Sequence, residues 1–373
     1  MKATLLAGLA LGLLASGAAQ AQIKIGVAAP ITGNSAAFGA QLKNGVTQAV
    51  EDINKAGGVK GQRFELSVGD DASDPKQGVS LANKFASDGV KVVVGDFNSG
   101  VSIPSSEAYQ DAGIVMITPG STNVRFTERG LWNTFRTCGR DDQQGAVAAA
   151  YLTAHYKGKK VAFVHDKTPY GKGLADETLK AFKAKGGKEV LFEGINPGEK
   201  DYSALVSKLK SAGVDVVYFG GYYTEAGLII RQAREQGLAA PLMGGDGMVD
   251  KELVAIAGAS AEGTLTTFPP DARKNPAAKT VVDGFKAKKI DPEAYTLYAY
   301  AAVQILKAAI EATGSTDGKK LADYMHGGKP FPTVIGDITY DKKGDITRPD
   351  YVMYQWKKNA AGTIDYTGNE ITP

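Results

Sequence analysis

The most constraining feature of this chain is a supersecondary pattern that occurs twice. Residues 24–58 have the pattern of a strand, a turn, a helix and a Lys/Gly-rich end, and residues 159–187 repeat it in the same order. An aromatic residue followed by glycine opens the helix in both copies, Phe38 in the first and Tyr170 in the second. Two similar α/β units in one chain form two lobes, and the cleft between them is a place to close around a small ligand.

Strand-like and helix-like segments alternate through most of the chain. Several of the strand-like segments are apolar on both faces, which is typical of a parallel sheet covered by helices on both sides. Such alternation predicts right-handed βαβ units, so we predict an α/β protein with two doubly wound, Rossmann-like lobes and mainly parallel sheets. The predicted strands are residues 23–29, 64–68, 90–95, 114–118, 160–165, 188–192, 214–220, 241–243 and 263–267, and the predicted helices include residues 41–55, 77–87, 173–185, 203–211 and 225–236.

The repeated pattern ends near Pro269 and Pro270. A long helical segment, residues 295–312, and two β-rich segments, residues 331–340 and 351–356, follow it and have no counterpart in the first copy. The simplest topology returns the chain to the first lobe and then to the second, which makes a hinge of three crossings. The predicted N-terminal lobe comprises residues 22–140 and 270–347, and the predicted C-terminal lobe comprises residues 141–269 and 348–373.

The first residues have the composition of an export signal. Lys2 precedes an apolar segment, residues 5–14, that is too short to span a membrane, and Ala19-Gln20-Ala21 is a small-x-small cleavage site. We therefore predict a cleavable signal peptide over residues 1–21 and a mature protein in a bacterial periplasm. No cysteine follows the cleavage site, so lipid attachment is not expected.

Charge and cysteine content exclude several function classes. The length of 373 residues is that of two ordinary domains. Without Lys2, 42 basic and 40 acidic residues leave a net charge of +2, with no basic stripe for nucleic acid. Cys138, the single cysteine, forms no internal disulfide, and no motif pairs it with a histidine, so we expect a buried apolar residue rather than a nucleophile. No motif indicates a metal or a cofactor.

In doubly wound sheets, ligands bind beyond the carboxyl ends of the strands, and two such loops of the first lobe are rich in donors. Residues 96–104 have the pattern of a helix start, whose free amides favour an anion, and Ser99 adds a hydroxyl. In the next loop, Gly120 permits close approach to the backbone and Thr122 offers a second hydroxyl. We name Ser99, Gly120 and Thr122 the anion cradle. A simple helix cap and a simple turn remain the alternatives.

The matching loops of the second lobe contain a carboxylate and aromatic residues. Asp246 lies between glycines at a strand end, where it is placed to bind a ligand cation with a contribution of about 1.5–3 kcal/mol. An Asx-turn is the alternative. The predicted apolar walls of the cleft are Phe38, Tyr170, Tyr222 and Tyr295. Together, the two lobes complement a zwitterionic α-amino acid with an apolar side chain.

Six groups of residues carry a family resemblance: 70–77, 116–119, 164–171, 220–222, 231–234 and 341–345. In these motifs the chain resembles the periplasmic Leu/Ile/Val-binding proteins of branched-chain amino acid ABC transporters, which have the type I periplasmic binding protein fold. The resemblance covers nearly the whole mature chain. It implies a two-lobed, three-crossover, monomeric binding protein that closes on its amino acid and delivers it to a membrane permease.

The resemblance also implies roles for individual residues. Ser99, Gly120 and Thr122 match positions that hold the ligand's charged groups, and Tyr222 matches another cleft contact. The chain departs from the family in a few places: Phe38 where Tyr is usual, Tyr295 where Phe is common, Asp246 where a familiar member has Glu, and Ser73 and Asn98 where the family has a disulfide. Asp in place of Glu shortens the reach by about 1.5 Å, which a shift of the loop or a bridging water would have to offset.

Two other function classes compete with transport. An enzyme is disfavoured because Gly171 and Gly173 lack the third glycine of a dinucleotide loop, position 176 being Asp, and because no catalytic motif is present. A ligand sensor that docks to a membrane receptor uses the same fold, so the sequence does not distinguish it from a transport protein.

Overall fold

Two separate β-sheets form the framework of the protein. The computed structural model describes residues 22–348 and 350–372, so the predicted signal peptide, residues 1–21, lies outside the described residues. The strands of the first sheet are β1 (Gln22–Ala29), β2 (Arg63–Asp70), β3 (Val92–Val94), β4 (Val115–Thr118) and β5 (Thr134–Arg136). They are parallel and lie in the order β2-β1-β3-β4-β5.

The second sheet repeats this order and extends it. Its strands are β6 (Val161–His165), β7 (Glu189–Gly194), β8 (Val216–Gly220), β9 (Leu242–Gly244), β10 (Leu265–Phe268), β11 (Val352–Gln355) and β14 (Glu370–Ile371). They lie in the order β14-β11-β10-β9-β8-β6-β7, with β11 and β14 antiparallel to their neighbours. Strands β7-β6-β8-β9-β10 thus reproduce the first sheet, which confirms the doubled pattern and the predicted fold class. A separate hairpin pairs β12 (Lys357–Lys358) with β13 (Ile364–Asp365).

Helices cover both sheets. They are α1 (Ala36–Lys55), α2 (Pro75–Ser87), α3 (Ser99–Asp111), α4 (Arg125–Glu128), α5 (Asp141–His155), α6 (Pro169–Ala184), α7 (Ser203–Ala212), α8 (Tyr223–Glu235), α9 (Glu252–Ala257), α10 (Lys279–Ala287), α11 (Thr296–Thr313) and α12 (Gly318–Met325), with short 3₁₀ helices at Asp246–Met248, Gly258–Ala261, Ala272–Lys274 and Pro276–Ala278. Within the described chain, no helix is both long and apolar enough to cross a membrane.

Local sequence determines where several of these helices begin and end. The Asp74 carboxylate accepts hydrogen bonds from the first amides of α2, and the Thr168 hydroxyl does the same for α6. Proline occupies the first position of both helices, where a missing amide is harmless. Gly213 ends α7 in the left-handed conformation that favours glycine.

The chain passes between the two sheets more than once. It leaves β5 for α5, which packs on α6, and it leaves β10 for α11, which packs on α1 of the first lobe. It then joins the second sheet again at β11. These connections place the loops that follow β3, β4, β6, β8 and β9 on either side of one cleft.

The structure differs from the sequence analysis at two places. Residues 331–340 do not form a strand; they make only single bridges, such as Phe331 to Ile338. Prolines at 330 and 332 supply no amide, and Gly336 turns the chain at φ +97°, so a continuous ladder is impossible. Strand β5 was not predicted, because three residues of which one is apolar make no recognisable pattern.

Buried apolar side chains fill the space between sheets and helices. The middle strands are almost completely buried, as β3 and β8 show. Cys138 is buried as expected, and burial raises the pKa of its thiol, so little reactive thiolate forms.

The aromatic–glycine pair of the repeat has a packing cause. A Cβ atom on Gly39 would lie 2.0 Å from the carbonyl oxygen of Pro30, and one on Gly171 would lie 2.5 Å from that of Gly220. The start of each helix therefore packs directly on the backbone at a strand end, which only glycine permits. This contact places the preceding aromatic, Phe38 or Tyr170, at the cleft.

We predict that Gly39→Ala lowers the free energy of unfolding by about 1–3 kcal/mol, because the new methyl group overlaps backbone atoms that cannot rotate away. Gly284→Ala in α10 is the matched control, since a Cβ there has nothing within 4 Å. The control should raise stability by about 0.5–1 kcal/mol through helix propensity. Urea unfolding of both variants measures this, and equal effects of the two substitutions would contradict the packing argument.

Candidate functional site

The anion cradle is formed by two adjacent loops of the first lobe. Helix α3 begins at Ser99, so the amides of Ser99 and Gly100 have no partner within the helix. The Ser99 hydroxyl accepts a hydrogen bond of 3.3 Å from the amide of Asn123, which joins this helix start to the loop after β4. Ser99 and Thr122 are both buried. The structure therefore brings the predicted hydroxyls together beside unpaired helical amides.

Gly120 is placed against an aromatic ring. A Cβ atom at this position would lie 2.4 Å from the ring of Phe97, so any larger residue would displace that ring. Phe97 itself is buried and stacks on Phe38 with the ring centroids 4.3 Å apart. Glycine at 120 thus admits Phe97 as a wall of the cleft directly beside the cradle.

Three side chains of the cleft donate hydrogen bonds to Asp246. Its Oδ1 atom accepts hydrogen bonds from Tyr170 Oη at 2.7 Å and from Gln144 Nε2 at 2.9 Å. Its Oδ2 atom accepts one from Tyr295 Oη at 2.9 Å. The side chain is therefore bound to distant residues, and the alternative of a local Asx-turn does not describe it.

The charge of Asp246 is set by two opposing effects. Complete burial raises the pKa of its carboxyl above the ordinary value, although the bonds from Gln144, Tyr170 and Tyr295 partly offset this effect. A carboxylate offers about four acceptor sites, and three are occupied. The remaining site, on Oδ2, accepts no hydrogen bond from residues 22–348 and 350–372.

Aromatic rings cluster next to Asp246 and next to the cradle. Tyr295 meets Phe97 edge to face at 4.9 Å and Phe38 at 5.4 Å. Tyr170 and Tyr222 lie 4.9 Å apart on the side of the second lobe. All four predicted wall residues are thus at one place, and Phe97 joins them.

Hydrogen bonds connect the two lobes around this cleft. Gln41 Nε2 donates to Asp250 Oδ2 at 2.7 Å, and Asn123 Nδ2 donates to the carbonyl of Pro169 at 2.6 Å. With the bond between Tyr295 and Asp246, these contacts hold the lobes together on several sides. The described conformation is therefore closed.

Asp141 and Gln144 belong to the site although sequence reasoning missed them. Both lie in helix α5. The other site residues were predicted because they follow the carboxyl ends of strands, and that criterion does not apply to residues of a helix. The Asp141 amide donates to the carbonyl of Thr122 at 2.9 Å, and Gln144 Nε2 also donates to Asp141 Oδ1 at 3.1 Å. Burial, and then the negative charge of Asp246, raise the pKa of Asp141 to about 8.

No metal centre accompanies these groups. Among residues 22–348 and 350–372, no cluster of histidine, cysteine and acidic side chains is arranged to hold a metal ion.

We predict that Asp141 makes the protein less stable as the pH rises. Its pKa in the folded state, about 8, exceeds the ordinary value of 3.8. The folded state therefore keeps a proton that the unfolded state has lost, and the free energy of unfolding falls between about pH 4 and pH 8. Asp141→Asn removes this contribution, so the variant should exceed the original protein in stability by at least about 1 kcal/mol at pH 8.

Urea unfolding at pH 4 and pH 8 tests this expectation. Other buried carboxyl groups contribute slopes of the same sign, so the informative quantity is the difference between variant and original protein at each pH. A difference that does not grow with pH would show that Asp141 is ionised throughout.

Comparison with known proteins finds a matching family and near full-length relatives. The sequence model of the periplasmic binding protein family matches residues 22–362. Leu/Ile/Val-binding protein homolog 1 of Brucella melitensis is 55% identical over 368 residues, which is 98% of this chain and 99% of that protein.

Solved structures agree with the two-lobed fold. The leucine-binding protein LivK of Thermotoga maritima superposes with a TM-score of 0.85 at 30% identity, covering 94% of this chain and 99% of its own. The branched-chain amino acid transporter substrate-binding protein LivJ of Streptococcus pneumoniae, solved with isoleucine, gives a TM-score of 0.84 at 28% identity and covers 95% and 100%. With its motifs, its fold and a near full-length relative in agreement, this chain belongs to the periplasmic binding protein family.

Proposed function

We propose that this protein is the solute-binding component of an ABC importer and captures a branched-chain or related apolar α-amino acid between its lobes. The observation that carries this proposal is the separation of charge preference across one buried cleft. Donors of the anion cradle lie on the first lobe, and the acceptor Asp246 lies on the second. A ligand that carries both an anion and a cation satisfies the two sides at once.

In this proposal each part of the amino acid has its own contacts. The α-carboxylate binds the hydroxyls of Ser99 and Thr122 and the backbone at Gly120, and the ammonium binds the free acceptor site on Asp246 Oδ2. The side chain lies against the aromatic walls, which are Phe38, Tyr170, Tyr222 and Tyr295. Charged hydrogen bonds in a dry cleft are strong, while the aromatic walls favour an apolar side chain.

The cellular setting follows from the family and from the N-terminal sequence. Periplasmic binding proteins of importers act in the periplasm, and residues 1–21 supply the export signal that this location requires. We infer that the mature protein is a monomer without catalytic activity and that a membrane permease receives its ligand. We further infer that residues 22–140 and 270–347 move as one lobe against residues 141–269 and 348–373.

Calorimetry tests the proposed ligand class. The protein is unfolded, stripped of ligand and refolded, and it is then titrated with Leu, Ile, Val, Phe, Ala, Thr and a neutral amide. Tight binding of apolar amino acids is the expected result. Preference for the amide would contradict the proposal. A neutral amide has neither a carboxylate for the cradle nor an ammonium group for Asp246.

We predict that Asp246→Ala weakens amino-acid binding by about 2–5 kcal/mol, because the ligand ammonium would lie in a closed cleft without its counter-charge. Asp215→Asn is the control, since Asp215 lies outside the cleft and accepts from the amide of Lys160 at 2.7 Å. The control should bind normally. Circular dichroism and urea unfolding check that both variants fold, and full affinity of Asp246→Ala would reduce Asp246 to a structural residue.

We predict that Phe97→Leu shifts the preference towards larger ligands. Removal of the ring opens space beside Gly120, so the ratio of the dissociation constants for alanine and leucine should rise by roughly tenfold, about the effect of burying one or two more methylene groups. Phe163→Leu is the control, because Phe163 is equally buried but packs in the core of the second sheet against Phe182 and Tyr218. An unchanged ratio in Phe97→Leu, or the same change in the control, would contradict a role for Phe97 in ligand size.

A further inference from the structure

The sequence motif at residues 341–345 forms a turn that is not part of the proposed ligand contacts. Asp341 Oδ1 accepts hydrogen bonds from the amides of Lys343 at 2.7 Å and Asp345 at 3.0 Å, which closes a tight turn. The turn lies along β5, where the carbonyl of Gly344 accepts from the amide of Arg136 at 3.2 Å. The result is that Asp345, with 3% of its surface exposed, is inserted into the first lobe.

Asp345 meets a completely buried guanidinium. Arg136 has no exposed surface, and its Nε atom lies 2.7 Å from Asp345 Oδ1. The Thr127 hydroxyl connects the pair, because it donates to Asp345 at 3.0 Å and accepts from Arg136 Nη2 at 2.8 Å. A buried charge of this kind is tolerated only when its donors find partners.

The remaining donors of Arg136 go to the backbone of the anion cradle. Nη1 donates to the carbonyl of Ser121 at 2.7 Å, and Nη2 donates to that of Asn123 at 3.3 Å. The carbonyl between them, that of Thr122, accepts from the amide of Asp141. The carbonyl groups of three consecutive residues, 121–123, thus accept hydrogen bonds from Arg136 or Asp141. These bonds fix the orientation of the peptide groups and therefore the direction of the Thr122 side chain and of the amides beside it.

A second arginine extends the network to the connection between the lobes. Arg140 Nη1 lies 2.6 Å from Asp345 Oδ2, and Arg140 also pairs with Asp142 at 3.0 Å. Arg140 immediately precedes α5, where the chain leaves the first sheet for the second lobe. The carboxylate of Asp345 is therefore shared between the arginine that holds the cradle and the arginine at the lobe connection.

We propose that Arg136 is a positioning residue for ligand binding: it holds the cradle loop in the geometry that a ligand carboxylate needs, with Asp345 as its counter-charge and Arg140 as the link to the lobe connection. The part that concerns the ligand rests on the proposed function. Arg136 touches no ligand in this scheme and acts through the backbone at residues 121–123. Its planar fork supplies two carbonyl contacts and an ion pair at once, which a lysine ammonium does not match.

The test compares Arg136→Lys with Arg129→Lys. Arg129 is the matched control because it also holds a carbonyl, that of Ile103 at 2.8 Å, and a hydroxyl, that of Ser106, but outside the cradle. Amide hydrogen exchange of ligand-free protein is the first readout. Arg136→Lys should speed exchange of the amides at residues 120–123 by at least about tenfold over the rest of the first lobe, and Arg129→Lys should leave them unchanged.

Leucine affinity by calorimetry is the second readout. Arg136→Lys should lose at least about tenfold in affinity, the usual scale for a misplaced charged hydrogen bond, while Arg129→Lys stays within about twofold. If Arg136→Lys does not fold, Thr127→Val serves instead, because it removes only the hydroxyl that connects Arg136 with Asp345. Uniformly faster exchange across the first lobe, or unchanged exchange at residues 120–123, would overturn the positioning role.

The two readouts separate this inference from the proposed function. A protein that binds no amino acid but shows the local exchange change would refute the ligand class and keep the positioning of the loop. An Arg136→Lys variant that binds leucine as tightly as the original protein would refute the positioning role and keep the ligand class.

Discussion

The structure depends on one buried carboxylate at the boundary between the lobes. Asp246 has almost no contact with solvent, and a carboxylate in that state is costly unless its oxygens are hydrogen-bonded. Its donors come from three parts of the chain: Gln144 lies in α5, Tyr170 lies in α6, and Tyr295 immediately precedes α11. Tyr295 reaches Asp246 across the cleft, so this arrangement exists only while the lobes are in contact. Closure therefore adds the hydrogen bond from Tyr295 to the two that Asp246 accepts within the second lobe.

The opposite wall of the cleft has the opposite arrangement of donors and acceptors. At Asp246, surrounding side chains donate hydrogen bonds to an acceptor. At the anion cradle, the backbone carbonyl groups already accept hydrogen bonds from other residues of the protein. Arg136 and the amide of Asp141 take the carbonyls of residues 121–123. These contacts do not use the hydroxyls of the cradle or the amides at the start of α3. A site whose polar groups are oriented before binding loses less free energy to ordering when the ligand arrives.

The difference between predicted and missed residues has a physical basis. Ser99, Thr122 and Asp246 follow strands of two parallel sheets, and the carboxyl ends of such strands meet at one edge, so their proximity could be predicted. Asp141 and Gln144 lie in the first turn of a helix, and nothing in their local pattern distinguishes a buried acid from an exposed one. Their role appears only when α5 packs between the two loops, which is a tertiary effect. Residues 331–340 are another example. Their composition favours a strand, but prolines and a turn prevent one from forming.

Three departures from the family pattern are in contact with one another in the structure. Aspartate at 246 is about 1.5 Å shorter than the glutamate of the familiar member, and the sequence alone left a loop shift or a water to make up the distance. In the structure Tyr295, where phenylalanine is common, donates its hydroxyl to Asp246 Oδ2 at 2.9 Å. Phe38, where tyrosine is usual, carries no hydroxyl and packs edge to face against Tyr295 instead. Of these two positions, 295 carries a hydroxyl and 38 does not, and that hydroxyl lies next to the aspartate. The shorter acid, the tyrosine and the phenylalanine are therefore in one chain of contacts.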